Sequence, residues 1–209
     1  DAGLRIARYR GFLAQKLEKF EAAVDAYSIV LTKAPDDFDC LNNFGNAKAG
    51  LGDHAAAVQA LKRAVALDPR AAPTRLTLAS ALIALENNYE AEAVLLKASK
   101  DFPKDSRPPY QLYALCKTRM KQKEARAAIE EAAVRDPNVA SMHLKLAIEY
   151  GVERRVSEAE RAFRRAIELN TLETDAYIGL AIQFEHTNRE EDFAPLIEHP
   201  NSLNKIALF

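Results

Sequence analysis

The stretch FDCLNNFGNAKAGLGDHAAAVQALKRAVALDPRA, residues 38–71, decides the fold. From Phe38 to about Gly50 it places Phe38, Leu41 and Phe44 at the spacing of one helix face. Gly50-Leu51-Gly52-Asp53 then interrupts with residues that end helices. A second run, His54 to Ala66, sets Ala57, Val58, Leu61, Ala64 and Val65 on one stripe. Leu67-Asp68-Pro69 stops it, because proline lacks an amide hydrogen and turns the preceding residue away from helical geometry. The segment reads as a helical hairpin. No part of the chain shows the sustained period-2 alternation of a strand.

Outward from this stretch the pattern recurs every 34 residues. Pro35, Pro69, Pro103 and Pro137 stand at equal steps, with Thr171 in the next slot. Twelve residues before each comes an alanine, at Ala23, Ala57, Ala91, Ala125 and Ala159. Eight before each comes a large apolar residue, at Tyr27, Leu61, Leu95, Ile129 and Phe163. Gly11, Gly45, Ala79, Ala147 and Ala181 recur in the first helix, where small residues let two helices approach closely. Self-similarity at this period defines a stacked array whose units bury a face only against their neighbours.

On these residues the chain resembles the tetratricopeptide repeat (TPR) family. Its 34-residue helix-turn-helix unit has a small residue at position 8, Ala at 20, a large apolar residue at 24, Ala at 27 and Pro at 32. Position 27 here reads Val30, Ala64, Ala98, Ala132 and Ala166, and the resemblance covers residues 4 to about 187. It implies an all-α, right-handed α-solenoid. The repeats would run 4–37, 38–71, 72–105, 106–139 and 140–173, with an atypical sixth or capping unit over 174–209, all in one array spanning 1–209. Position 4 departs from the family with Ala7, Leu41, Arg75, Pro109, His143 and Tyr177. Tyr113 fills the small slot of the fourth unit and is expected to widen that hairpin. In the sixth unit Phe193 replaces the alanine and Pro195 delays or kinks the second helix. His199-Pro200-Asn201-Ser202 then punctuates before a short final helix, as a terminal cap or as a junction to a further domain. The first residue is Asp1, and the chain reads as a piece of a longer one.

Composition narrows the function classes. Of 209 residues 48% are hydrophobic and 28% charged, and the net charge is −1, so no global field draws the chain to nucleic acid or an anionic membrane. No apolar run approaches the roughly 20 residues that span a bilayer. Cys40 and Cys116 have neither disulfide-framework nor metal-knuckle spacing, and His54, His143, His186 and His199 form no HExxH set. Phosphate-binding glycine loops and a GxSxG elbow are missing too. No metal or cofactor is expected, and this segment reads as non-enzymatic. Arg154-Arg155, Arg161 and Arg164-Arg165 alternate with Glu153, Glu158, Glu160 and Glu168, the pattern of a salt-bridged helix surface rather than an RNA stripe. The compartment is undetermined, with the cytoplasm favoured by default.

The resemblance also implies a concave groove lined by positions 2, 5, 6, 9, 12 and 13 of each first helix. Its candidate partner-binding residues are Arg8, Phe12, Asn42, Asn43, Asn46, Thr77, Arg107, Tyr110, Gln111 and Lys145, within a wider lining that includes Arg5, Tyr9 and Asp39. Three asparagines within five helical residues offer donors and acceptors to a peptide backbone. The carboxylate clamp of heat-shock co-chaperones is incomplete in either register, which leaves a weaker acidic ligand around Arg8 and Arg107. Leu144, Ile148, Ile178 and Ile182 form an apolar wall, to be covered by the segment around Leu203 to Phe209, by a following domain or by a partner helix. Two functions follow. One is an interaction scaffold binding a partner peptide or helix in the groove. The other is an N-terminal arm positioning substrate for a glycosyltransferase or sulfotransferase domain beyond residue 209. Self-association through the end repeats is open in either case.

Overall fold

The computed structural model describes residues 2–192, which hold eleven α-helices, no strand and a short 3-10 turn at Glu190–Asp192. The expectations for Phe193, Pro195, His199-Pro200-Asn201-Ser202 and the last helix lie outside the described residues. The chain divides into two compact units that meet in sequence at Phe102 and Pro103. The first contains α1 (Ala2–Lys16), α2 (Phe20–Lys33), α3 (Phe38–Gly50), α4 (His54–Leu67), α5 (Ala72–Ala84) and α6 (Asn88–Asp101). The second contains α7 (Arg107–Thr118), α8 (Gln122–Arg135), α9 (Ala140–Val152), α10 (Val156–Leu169) and α11 (Thr174–His186). Within the first unit α1 pairs with α2, α3 with α4 and α5 with α6, while α2 packs on α3 and α4 on α5. The second unit repeats this scheme from α7 to α11.

The repeated residues are the hairpin cores. Ala23, Ala57, Ala91, Ala125 and Ala159 have no exposed surface, and Tyr27, Leu61, Leu95, Ile129 and Phe163 are buried beside them. Val30, Ala64, Ala98, Ala132 and Ala166 are equally enclosed. The small slot in the first helix is a steric requirement. A Cβ on Gly11 would lie 2.6 Å from Tyr27 Cε1, and one on Gly45 would lie 2.6 Å from Leu61 Cγ. Tyr113 takes the small slot of the fourth unit without exposing Ala125 or Ile129, its phenol reaching across to α9.

The turns inside the hairpins share one backbone solution. Glu18, Gly52, Glu86, Met120, Arg154 and Asn188, again 34 residues apart, all have φ between 52° and 78°. Each is the left-handed residue that ends a helix, and the next amide closes a six-residue bond back into that helix. Asp53 donates to Lys48 O at 2.9 Å, Asn87 to Leu82 O at 2.9 Å, Lys121 to Cys116 O at 2.9 Å and Arg155 to Tyr150 O at 2.8 Å. Only Gly52 adopts this backbone without steric cost.

The polar departures at position 4 are also structural. Arg75 is buried, pairs with Asp101 at 2.5 Å, donates to Pro69 O at 2.5 Å and lies over the Phe102 ring. His143 turns back in the same way, with Nε2 at 2.9 Å from Pro137 O. In both units a long polar side chain ties the start of a first helix to the carbonyl of the preceding proline.

Candidate partner-binding groove

In the first unit α1 and α3 run side by side over α2 and bring part of the expected groove together. Arg8, Phe12 and Asn43 line one cleft of about 360 Å³ with Arg5, Tyr9, Asp39, Tyr27 and Cys40. Tyr9 is 64% and Phe12 47% exposed, although both are aromatic. Tyr27 and Cys40, buried, form the floor. The Tyr27 phenol donates to Gln15 Oε1 at 3.3 Å, and burial pushes its pKa up to about 12 against an opposing hydrogen bond with Asn43. Burial, reinforced by the charge on Asp37, likewise pushes the Cys40 thiol up to about 12, so it stays protonated and is no nucleophile at neutral pH. Lys16 holds its ammonium 5.6 Å from the Phe12 ring centroid.

The two arginines expected to receive an acidic ligand are already paired. Arg8 donates to Asp37, which also caps α3 by accepting from the Cys40 amide at 2.9 Å. Arg107, in the second unit, binds Asp105 through Nε at 2.9 Å and Nη2 at 2.7 Å. Hydrogen bonds from Arg107 hold the Asp105 carboxyl below the usual carboxylate range. A carboxylate ligand at either arginine would have to displace an internal one.

The asparagines divide between roles. Asn42 accepts from Thr74 Oγ1 at 2.9 Å and donates to Asn43 Oδ1 at 3.3 Å, tying α3 to α5. Asn46 keeps Oδ1 buried and without a partner among the described residues, so that oxygen is out of reach of a ligand in this conformation. Thr77 bonds its own helix through Pro73 O at 3.2 Å. Of the three asparagines, Asn43 is the one that lines the cleft.

In the second unit Tyr110 stacks at a tilt on Tyr113 with ring centroids 6.5 Å apart, and Gln111 and Lys145 are half-buried on α7 and α9. Leu144 is buried rather than part of an exposed apolar wall, whereas Ile148, Ile178 and Ile182 remain 39–45% exposed. A feature not read from the sequence lies beneath them. Glu149 has no exposed surface, and its carboxylate accepts from Tyr113 Oη at 3.0 Å, from Lys117 Nζ at 3.0 Å and from Gln122 Nε2. This explains Tyr113: the phenol fills a small-residue slot because it satisfies a carboxylate buried on the next hairpin. Tyr113 and Glu149 stand 36 residues apart, and only their shared departure from apolar or small slots signalled them.

Helical hairpins stacked so that their first helices present exposed side chains define a class of protein-interaction repeat proteins. Two family profiles described as tetratricopeptide repeat match residues 10–74 and 48–116, which together span about half of the chain. The chain belongs to the tetratricopeptide repeat family, and its fold is an all-α solenoid of that family's hairpins. No curated protein sequence matches it significantly. Among solved structures it is similar to pilF of Pseudomonas aeruginosa, with a TM-score of 0.73 and 20% identity over 97% of this chain and 95% of that one. It is similar to MamA from residue 41 onward of Desulfovibrio magneticus RS-1, with a TM-score of 0.71 and 20% identity over 83% and 98% of the two chains. It is also similar to YrrB, described as a TPR protein with an unusual peptide-binding site, with a TM-score of 0.67 and 18% identity over 89% and 100%. At these identities the likeness is one of fold.

Proposed function

We propose that the chain is a protein-interaction scaffold that holds a partner's extended segment in the cleft between α1 and α3. The observation that carries this reading is the pair of exposed aromatics, Tyr9 and Phe12, standing over a floor of Tyr27 and Cys40. Aromatic side chains at the rim of a preformed pocket are the usual anchors of a binding hot spot. Arg5 and Asp39 set a charge of each sign on the cleft, and Asn43 offers an amide between them. An apolar or aromatic anchor residue followed by polar backbone fits this lining better than a free carboxylate, because Arg8 is neutralised by Asp37.

Selection of displayed random peptides on the native chain tests the reading. A common motif should emerge with at least one large apolar residue. Its capture should disappear from a Tyr9→Ala/Phe12→Ala variant whose circular dichroism is native. Motif-bearing peptides that bind the variant equally would remove this cleft as the site.

A further inference from the structure

The first hairpin leaves open a face that later hairpins close. Counting each repeat from the residue aligned with Leu4, positions 3, 7 and 10 of the first helix fall within about 60° of arc. In α3 these are Cys40, Phe44 and Ala47, which pack in one cluster with Tyr27 and Val30 of α2. In α5 they are Thr74, Leu78 and Ala81, all buried, and in α9 they are Met142, Leu146 and Glu149, also buried. In α1 the same positions hold Ile6, Arg10 and Leu13. Ile6 is 60% and Leu13 43% exposed, and Leu17, one turn further on the same side, is 65% exposed.

The chemistry of this face differs from that of its counterparts. Position 7 is apolar in every later unit, at Phe44, Leu78, Leu112, Leu146 and Leu180, but is Arg10 here. From Ala2 to Lys16, α1 carries Arg5, Arg8, Arg10 and Lys16 and no acidic residue. Arg8 is paired with Asp37, while Arg5 and Arg10 make no ion pair among the described residues. We infer that this face docks an acidic amphipathic helix of a partner protein, seated on α1 as α2 seats on α3. One helix already closes the equivalent face of α3, so a helix has the right shape. Its stripe would be apolar against Ile6, Leu13 and Leu17, with carboxylates reaching Arg10 and Arg5. A second copy is the poorer occupant. An antiparallel α1–α1 pair would bring the two Arg10 residues close together at its centre, with further cations on both flanks and no carboxylate from either helix. A plain repeat of the hairpin would meet Arg10 with the apolar surface that Phe44 and Leu78 meet in α3 and α5. This face is separate from the cleft of Tyr9 and Phe12, and the inference stands whether or not that cleft binds peptide.

Fluorescence anisotropy with the whole chain tests it. The probe is a labelled helical peptide of about 15 residues with a leucine stripe at helical spacing and glutamate flanks, beside a twin carrying lysine for each glutamate. Native protein should bind the glutamate peptide at least about tenfold more tightly than the twin. Leu13→Ser should weaken that binding about tenfold, Arg10→Glu should reverse the preference, and Phe12→Ala should change nothing. Equal binding of the twins, no saturable binding, or loss only with Phe12→Ala would overturn the inference. So would sedimentation showing a concentration-dependent dimer that Leu13→Ser dissolves, since the face would then belong to a second copy. Ile6, Arg10 and Leu13 are exposed, so a folding defect in these variants, read by circular dichroism, would equally contradict their placement on an open face.

Discussion

Met120 sits at φ 54° in the turn between α7 and α8 with 92% of its surface exposed, so its side chain contributes almost no packing while its backbone is strained. A left-handed conformation costs an L residue about 1–2 kcal/mol. Glycine removes that cost, but loses about 0.5–1 kcal/mol more conformational entropy on folding. Met120→Gly should therefore stabilise the protein by about 0.5–1 kcal/mol, from the difference of these terms. Met120→Ala should be near neutral, because alanine keeps the strain. The mirror experiment is Gly52→Ala, at φ 78°, where an added Cβ meets nothing within 4 Å. With no clash to blame, a loss of about 0.5–1 kcal/mol would be conformational alone. Equilibrium urea unfolding followed by circular dichroism gives the midpoints, compared at unchanged slope. A lowered midpoint for Met120→Gly, or a neutral Gly52→Ala, would refute the idea that this slot of the repeat is held left-handed against the preference of its side chains.

Other consequences follow from the packing. Gly45→Val places a branched side chain where even a Cβ would lie 2.6 Å from Leu61 Cγ, and should cost about 1–3 kcal/mol in the same urea assay. Tyr113→Phe leaves the buried Glu149 carboxylate one donor short and should cost about 1–3 kcal/mol, whereas Phe102→Leu at the half-buried Arg75 stack should cost less. The Cys40 thiol is raised from 9.0 to about 12 by burial and by the Asp37 charge, so the folded state favours its neutral form. Its contribution is complete below about pH 9 and lost as pH rises from there toward 12, so urea midpoints should fall over that window and fall less steeply in Cys40→Ala.

The hairpin cores were legible because they rest on steric rules that act within one repeat. A small residue at Gly45 must face a large one at Leu61, and the spacing of 16 residues is set by helix geometry and turn length. The left-handed turn residue was hidden, because Glu86, Met120 and Arg154 do not advertise a backbone that only Gly52 adopts freely. Groove lining was partly legible: Arg8, Phe12 and Asn43 meet in one cleft, since repeat position dictates which way a first-helix side chain points. What those side chains are free to do was not. Arg8 is spent on Asp37 and Asn42 on Thr74, contacts 29 and 32 residues away that depend on how neighbouring hairpins stack. Arg107 and Asp105 are two residues apart, and their pairing could have been anticipated from turn geometry. The Glu149 cluster needed three helices in place before a buried carboxylate made physical sense.

The most direct test of the central claim is calorimetric titration of a selected peptide into the native chain and into Tyr9→Ala/Phe12→Ala. Tyr9 and Phe12 stand exposed over the α1–α3 cleft, so the account predicts an affinity at least about tenfold weaker in the variant with little change in thermal midpoint. An affinity that survives both substitutions would contradict it, and would move partner binding away from the cleft of the first unit.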